Sequence, residues 1–289
     1  MEAPVSTERA FAECQRLATS HYENFSVLSW FLPRALRPHF SSVYAFCRCT
    51  DDLGDEDDTA SPAERLARLD AWEVDLRRCF SANESPKHPY LLALRETIRR
   101  FDLPEEPFLR LVEANRMDQR ASRYPTYADL LRYCAYSANP VGRLVLMLYG
   151  YRDDERQRCS DAICTALQLT NFWQDIASDY EQRNRIYLPA EDMARFGYDE
   201  AALARGEATP AFRALMAFEV ERARGLFAEG MPLLAKLHGM PRRAVALFAL
   251  GGLEALAAIE RRSYDVFAQR PTLSSRRKLW LMARVALKP

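Results

Sequence analysis

Oxygen-bearing side chains recur at helical spacing in two segments of the sequence. Asp51 and Asp55 are four residues apart, and Asn171, Asp175 and Asp179 repeat the same interval. Residues four apart lie on one face of an α-helix, so each segment presents a stripe of oxygen ligands. Mg²⁺ prefers oxygen ligands and is commonly held by one or two carboxylates together with water and substrate phosphates. The two stripes therefore predict a site for Mg²⁺ and a diphosphate ester.

The alternative for each stripe is a solvated helix face that carries acids without binding anything. This interpretation stays open for the first stripe when it is considered alone. The second stripe is flanked by Phe172, Trp173 and Ile176, so it borders an apolar core and is harder to explain as a solvated face. An EF-hand is excluded because Pro62 stands at the twelfth position counted from Asp51, where that motif requires glutamate.

Basic residues stand next to both stripes. Arg48 precedes Asp51 by about one helical turn and is a candidate ligand for a phosphate oxygen, the alternative being an ordinary i, i+3 ion pair. Arg183, Arg185 and Tyr187 follow the second stripe in a short basic segment. That segment can close over a bound diphosphate, or it can simply balance the acidic charge.

The residues suited to this chemistry lie on predicted helices. Only ten glycines occur among 289 residues, and breaker residues divide the chain into helical blocks at 33–38, 81–89, 103–107, 124–125 and 183–189. Ser61, Pro62 and Glu64 predict a helix start with a capping box. The preceding helix, which begins near Pro38, is therefore predicted to end within the acidic stretch 51–58.

Acidic residues are unfavourable at that position. A helix C-terminus carries partial negative charge, which opposes the carboxylates, and the carboxylates also repel one another. Gly54 lies inside the stretch and costs about 1 kcal/mol relative to alanine in a helix interior. Both choices weaken the helix, so they indicate a function in which a cation relieves the repulsion. We predict that these helices belong to one all-α domain that spans residues 1–289.

Composition and missing motifs exclude several other functions. Forty basic residues balance forty acidic ones, so no nucleic-acid partner is expected. Seven cysteines without a Cys-x-x-Cys motif fit packing roles in a reducing compartment. The sequence lacks the glycine-rich dinucleotide and phosphate loops, the zinc motif His-Glu-x-x-His and the nucleophile elbow. With no secretory segment and no apolar run longer than 244–253, we expect a cytoplasmic protein.

The order of the motifs resembles the squalene/phytoene synthase family. The resemblance is carried by residues 44–48, 51–55, 133–142, 168–179 and 185–189. It implies a single-domain, all-α isoprenoid synthase fold with a central cavity between helices. The resemblance assigns the catalytic and metal-binding roles to Asp51, Asp55, Asn171, Asp175 and Asp179. The implied substrate-binding residues are Asn24, Phe25, Tyr44, Arg48, Tyr133, Val141, Gly142, Gln168, Arg185, Tyr187 and Tyr264.

Within the family, residues 21–25 and 139–143 resemble a bacterial subgroup that makes hydroxysqualene for hopanoid biosynthesis, although Ser26 departs from an expected proline. The resemblance implies Mg²⁺-dependent loss of diphosphate from presqualene diphosphate and capture of the resulting cation by water. No nicotinamide cofactor is expected, because no motif for one is present. One alternative is condensation of two farnesyl diphosphates to presqualene diphosphate, or another squalene or phytoene synthase reaction. A second alternative is a helical lipid-binding or scaffold protein.

The expected partners follow from this chemistry. A prenyl diphosphate is the predicted substrate, and other enzymes of the squalene pathway are candidate protein partners. The C-terminal segment 278–288 mixes apolar residues such as Trp280 with basic residues. It is interpreted either as a terminal packing helix or as a peripheral contact with the inner face of a membrane.

Overall fold

The computed structural model describes residues 6–20, 32–55 and 60–287. Within these ranges the chain is helical, without a β-strand, and the predicted all-α fold class is confirmed. Its helices are α1 Thr7–Ser20, α2 Arg37–Asp55, α3 Pro62–Arg78, α4 Pro89–Phe101, α5 Glu106–Arg120, α6 Tyr127–Ser137, α7 Asn139–Leu148, α8 Asp154–Arg183, α9 Ala190–Phe196, α10 Glu200–Ala204, α11 Pro210–Gly230, α12 Leu233–Lys236, α13 Gly239–Arg261 and α14 Ser275–Leu287.

The helix boundaries follow the breaker residues. The predicted breaks at 81–89, 103–107, 124–125 and 183–189 fall at the junctions between helices, and α2 begins at Arg37, inside the first predicted break. Ser61 forms the predicted capping box, since its hydroxyl accepts from the Glu64 N–H at 3.3 Å and its own N–H donates to the Glu64 carboxylate at 2.8 Å. The preceding helix α2 ends at Asp55, so its last turn carries the predicted acids.

Contacts group the helices into two compact units. The first unit comprises residues 1–120 and 140–153, and the second comprises 121–139 and 154–289. A single domain over residues 1–289 stays a prediction, and the two units are described separately below. No described helix has the length and apolarity that crossing a membrane requires.

Aromatic packing forms the core of the first unit. Phe46 of α2 is fully buried, with its ring stacked on Trp72 of α3 at 5.9 Å and edge-on to Phe108 of α5 at 5.3 Å. Each such ring contributes roughly 1.5–3 kcal/mol through burial. Trp72 also donates its indole N–H to the Thr50 hydroxyl at 2.9 Å. These contacts hold the last turns of α2, which carry the first acidic stripe, against α3 and α5.

Helix α8 is the central element of the second unit. It has 30 residues and packs lengthwise against α11. Gly230 of α11 allows the close approach, because a Cβ there would lie 2.7 Å from the Cys159 carbonyl oxygen of α8. Trp173 is fully buried on the inner face of α8. The second acidic stripe is therefore carried by a helix that a large apolar surface holds in place.

All seven cysteines are free thiols, as the sequence predicts, and each is buried or half-buried. Burial raises the pKa of Cys14 and of Cys79 to about 12, so neither thiol ionises near neutral pH. This agrees with the packing role predicted for them.

Candidate functional site

The first acidic stripe lies at the C-terminal end of α2 and is held by α5. The Asn115 side chain is buried and donates its amide N–H to the Asp51 carboxylate at 3.1 Å. One turn further along α5, Gln119 donates to the carbonyl oxygen of Gly54 at 3.0 Å. Two amide side chains of α5 therefore orient the carboxylate and cap the helix that carries it.

Gly54 makes the Asn115 contact possible. A Cβ at Gly54 would lie 2.6 Å from the Asn115 Oδ1 atom, closer than real side chains approach. The glycine that weakens α2 locally is therefore required for the amide that orients Asp51. The sequence indicated that Gly54 serves function, but it gave no indication of Asn115, which is 64 residues from Asp51.

Asp51 carries an electrostatic cost. The residue keeps exposed surface, yet protein atoms crowd its carboxyl group, and this loss of hydration raises its pKa to about 6. The hydrogen bond from Asn115 opposes the shift, whereas the negative charge of Asp55 adds to it. A cation bound beside both carboxylates would remove this cost.

The neighbours of the first stripe are placed as follows. Arg48 pairs with Asp52 at 2.6 Å, an i, i+4 contact, and its positive charge also lowers the pKa of Asp51. Tyr44 and Val141 are half-buried and pack against the apolar core of the first unit. Gly142 is half-buried on α7. The substrate-binding roles predicted for these four residues stay predictions.

The second acidic stripe runs along α8. Asn171 is exposed, and Asp175 and Asp179 are half-buried, whereas Phe172, Trp173 and Ile176 are buried. The predicted position at the border of an apolar core is therefore confirmed. Gln168 is half-buried and lies one turn before Asn171 on the same helix.

Asp175 is bound by an arginine that no sequence pattern indicated. The Arg270 guanidinium donates from Nε and Nη2 to both carboxylate oxygens, the Nη2 contact being 2.8 Å. Arg270 lies 95 residues away, in the segment between α13 and α14, and no local pattern connects it to α8. A bidentate guanidinium supplies Asp175 with the positive charge that a metal ion can also supply.

Asp179 resembles Asp51 in its electrostatics. Burial raises its pKa to about 6, and the nearby Asp175 carboxylate adds to the shift. Arg183, Arg185 and Arg270 lower the pKa and so offset part of the cost. The second stripe thus combines carboxylates with three guanidinium groups, a charge distribution that suits a metal ion and a phosphate together.

The basic segment after α8 is anchored by its backbone. The Arg185 N–H donates to the Asp179 carbonyl at 3.0 Å, and the Ile186 N–H donates to Ser122 at 2.9 Å. Arg185 and Tyr187 are both buried. The segment is thus fixed beside the second stripe and is not a solvated tail.

Aromatic rings pack beside this segment. The Phe172 and Tyr187 rings stack with centroids 3.7 Å apart, and Tyr133 lies 6.1 Å from Phe172 and 5.9 Å from Tyr187. Phe172, Tyr187, Asp179 and Arg185 line the same small recess. An aromatic wall and ionic groups are therefore adjacent within the second unit.

The remaining predicted residue that the structure describes is Tyr264. Tyr264 follows α13 in a left-handed conformation, with φ of 63°, directly after Ser263 with φ of 52°. Two consecutive left-handed residues other than glycine are strained, at about 1 kcal/mol or more each. Asn24 and Phe25 lie outside the described residues.

The carboxylates fit a magnesium ion better than a metal with an all-protein ligand cage. Among the described residues, no three His, Cys, Asp or Glu side chains converge on one point. Mg²⁺ usually takes one or two carboxylates and completes its octahedron with water and phosphate oxygens. The raised pKa values of Asp51 and Asp179 identify acids whose charge is not fully compensated by protein groups. The oxygen donor set and its charge therefore suit Mg²⁺.

Comparison with known proteins adds evidence from the whole chain. The family model described as squalene/phytoene synthase matches residues 18–277. The 15-cis-phytoene synthase of Synechococcus elongatus is 32% identical, over 96% of this chain and 92% of its own length.

Solved structures share the fold. The squalene synthase HpnC from Alicyclobacillus acidocaldarius is 50% identical, with a TM-score of 0.85 over 92% of this chain and 98% of its own. A dehydrosqualene synthase in complex with a ligand is 29% identical, with a TM-score of 0.86 over 97% of this chain and 96% of its own. These neighbours have the helical isoprenoid synthase fold.

Proposed function

Because the chain belongs to the squalene/phytoene synthase family, we propose that it is an enzyme that converts presqualene diphosphate to hydroxysqualene. The reaction is Mg²⁺-dependent and releases diphosphate. The observation that carries this proposal is the 50% identity to a squalene synthase over most of the chain, compared with 32% to the phytoene synthase.

The two acidic stripes are the proposed metal-binding groups. Asp51 and Asp55 act in the first unit, and Asn171, Asp175 and Asp179 act in the second. Bound Mg²⁺ would act as a Lewis acid that stabilises the negative charge developing on the leaving diphosphate. The hydrogen bond from Asn115 keeps the Asp51 carboxylate in a single orientation, which supports this role.

Guanidinium groups are the proposed ligands of the diphosphate itself. In the second unit, Arg185 is buried beside Asp179. Arg270 donates to Asp175, which lies one turn before Asp179 on α8. In the first unit, Arg48 lies one turn from Asp51, and Tyr264 of the second unit is a further predicted contact. Arginine suits this role because its planar fork matches pairs of phosphate oxygens.

Aromatic and apolar groups are proposed to protect the carbocation. Loss of diphosphate breaks a carbon–oxygen bond, and the oxygen keeps the electron pair, so a cyclopropylcarbinyl cation remains. After rearrangement, a water oxygen bonds to the cationic carbon and one proton is released. The rings of Tyr133, Phe172 and Tyr187 pack together beside Asp179 and are proposed to form the aromatic wall that shields the cation. Further predicted residues are proposed to bind the apolar chains of the substrate. They are Asn24, Phe25, Tyr44, Val141, Gly142 and Gln168.

Product analysis tests the proposal. Pure protein and Mg²⁺ are incubated with presqualene diphosphate or with farnesyl diphosphate, each with and without NADPH. Hydroxysqualene formed from presqualene diphosphate, at a rate independent of NADPH, is the expected result. Squalene formed only with NADPH would contradict both the expected product and the expected absence of a nicotinamide cofactor.

A second candidate is condensation of prenyl diphosphates to presqualene diphosphate or to a phytoene-type product. The similarity to a phytoene synthase and to a dehydrosqualene synthase favours it. Accumulation of presqualene diphosphate from farnesyl diphosphate in the same experiment would establish this reaction in place of the first. A helical lipid-binding or scaffold protein, the remaining alternative, would release no diphosphate from either substrate.

The other proposed properties follow from the reaction. A prenyl diphosphate is the small-molecule partner, and other enzymes of the squalene pathway are proposed protein partners. We also propose a cytoplasmic location. Peripheral contact with the inner face of a membrane is proposed because the expected product is apolar.

A further inference from the structure

Helix α14 has two different apolar faces. Leu281 and Val285 are buried, with 3% and 4% of their surfaces exposed, and fix the helix to the second unit, where it packs against α13. Leu279 and Trp280 are 65% and 44% exposed. At 3.6 residues per turn, these two residues lie on the side of the helix away from Leu281 and Val285.

The charge of α14 has one sign. Its sequence contains Arg276, Arg277, Lys278 and Arg284 and no acidic residue. Two of these cations lie against the exposed indole, since the guanidinium carbons of Arg277 and Arg284 are 4.4 Å and 5.2 Å from the Trp280 ring centroid. The exposed apolar side chains are therefore bordered by positive charge.

A basic cavity adjoins the first turn of the helix. It has a volume of about 620 Å³, and its wall includes Arg261, Arg262, Arg270 and Arg277 together with the polar residues Thr272 and Ser274. Glu254 accepts a bond from Arg277 at 2.5 Å and lies 4.0 Å from Arg261. Arg270 is bound to Asp175 and belongs to the diphosphate site proposed above. The other three guanidinium groups, of Arg261, Arg262 and Arg277, are offset only in part by Glu254, so this part of the cavity wall stays positive.

Arg277 links the cavity to the exposed face. The same guanidinium group lines the cavity and lies 4.4 Å from the Trp280 ring. A ligand that combines a phosphate with an apolar chain could thus place its phosphate in the cavity and its apolar chain against the exposed face of α14.

We propose that α14 and the adjoining arginine cavity form a docking surface for a bilayer that contains anionic phospholipids. Leu279 and Trp280 enter the interfacial region, as tryptophan commonly does, and the cavity accepts a lipid phosphate. A second copy of the chain fits less well, because two helices without acids would repel each other. The family model ends at residue 277, so most of α14 lies outside the region shared across the family. The proposal does not depend on which reaction the enzyme catalyses.

Vesicle co-sedimentation tests the docking surface. The full-length protein is mixed with phosphatidylcholine vesicles or with vesicles that also contain phosphatidylglycerol, at low and high salt. We expect binding to the anionic vesicles that weakens with salt. The Leu279→Ser/Trp280→Ser variant and the Arg276→Gln/Lys278→Gln/Arg284→Gln variant should each lose at least about tenfold in affinity.

Matched variants provide the controls. Val74→Ser removes an apolar side chain that is 56% exposed on α3, and Arg9→Gln/Arg16→Gln/Arg120→Gln removes three exposed charges from the first unit. Both controls should bind like the wild type, and all variants should keep the wild-type far-UV circular dichroism.

Four outcomes would overturn the proposal. The first three are equal binding by the α14 variants and the wild type, binding to neutral vesicles as strong as to anionic ones, and a dimer in solution that the α14 variants abolish while no vesicle binding is seen. Binding of inorganic phosphate without binding of anionic vesicles would also overturn it, since the cavity would then be a site for a free anion.

Discussion

At the scale of single residues, the acids of the two stripes are held by groups that lie far from them in sequence. Asn115 donates to Asp51 across 64 residues, and Arg270 donates to Asp175 across 95 residues. The orientation of each carboxylate therefore depends on a tertiary contact, and a substitution at that contact tests the proposed metal site.

Gly54→Ala tests the support of Asp51. The new Cβ would collide with the Asn115 amide, so we expect a loss of about 1–3 kcal/mol in stability and a rise in the Mg²⁺ concentration needed for half-maximal turnover. Urea denaturation and Mg²⁺ titration measure the two effects. Gly251→Ala is the control, because a Cβ there meets nothing within 4 Å and a helical alanine should add roughly 0.5–1 kcal/mol. Equal behaviour of the two variants would contradict the steric argument.

Arg270→Gln tests whether the arginine competes with the metal. Its guanidinium occupies both oxygens of Asp175, and the Arg270 side chain is half exposed, so releasing it should raise Mg²⁺ affinity in the absence of diphosphate by roughly twofold to fivefold. Calorimetric titration measures the affinity directly. Arg262→Gln is the control, since Arg262 lies in the same segment but bonds to the Asp265 carbonyl and Gln269. Unchanged or weaker metal binding in Arg270→Gln would show that the arginine does not compete.

The candidate acids could be selected from the sequence, whereas the groups that orient them could not. Helical spacing places Asp51 with Asp55 and Asp175 with Asp179, because residues four apart share a helix face. Contacts across 64 and 95 residues, such as those of Asn115 and Arg270, leave no local pattern.

At the scale of elements, the helix boundaries were predictable because caps and breakers act locally. Ser61 and Glu64 formed the predicted capping box, and this placed the acidic end of α2 correctly. The pairing of helices was not predictable, since it depends on contacts such as that of Gly230 with the Cys159 carbonyl. A buried ionic cluster between α9 and α11 is another contact between helices that the sequence did not indicate.

This cluster joins Asp192 of α9 to Glu219 and Arg222 of α11. Arg222 donates to Asp192 at 2.6 Å, and its guanidinium lies 4.2 Å from the Tyr127 ring centroid. Glu219 is fully buried, and this burial, reinforced by the neighbouring Asp192 carboxylate, raises its pKa to about 8. Near neutral pH the folded protein therefore keeps a proton on Glu219 that the unfolded chain releases.

The consequence is a pH dependence of stability with a defined sign. The folded state binds more protons than the unfolded state between about pH 4.5 and 8, so the free energy of unfolding should fall as the pH rises through this window. The upper bound of the loss is about 5 kcal/mol. Urea denaturation of Glu219→Gln, which cannot ionise, should show a smaller decline over this window than the wild type. The exposed Glu221→Gln on the same helix should keep the wild-type decline, and an unchanged slope in Glu219→Gln would exclude Glu219 as its source.

At the scale of the whole molecule, the family and the fold were predictable because several motifs follow one another in the order typical of the family. The family model covers residues 18–277, and the motifs seen in the sequence fall between residues 44 and 189. The reaction is harder to predict, because a squalene synthase, a dehydrosqualene synthase and a phytoene synthase all match most of this chain. A global property is needed to test the proposed metal-binding acids independently of the reaction product.

Thermal unfolding provides that test. A ligand that binds only the folded state stabilises it by about 2.7 kcal/mol at a hundred times its dissociation constant, which corresponds to a rise of several degrees in melting temperature. We expect this rise for the wild type with Mg²⁺ and inorganic diphosphate together, and its reversal by a chelator. Asp51→Asn and Asp175→Asn should each lose the rise and reduce turnover by at least about a thousandfold, while far-UV circular dichroism stays unchanged. Asp70→Asn, which removes an exposed acid of α3, should behave like the wild type. A full thermal rise in either stripe variant would show that its acid does not bind the metal and diphosphate, whichever product the enzyme makes.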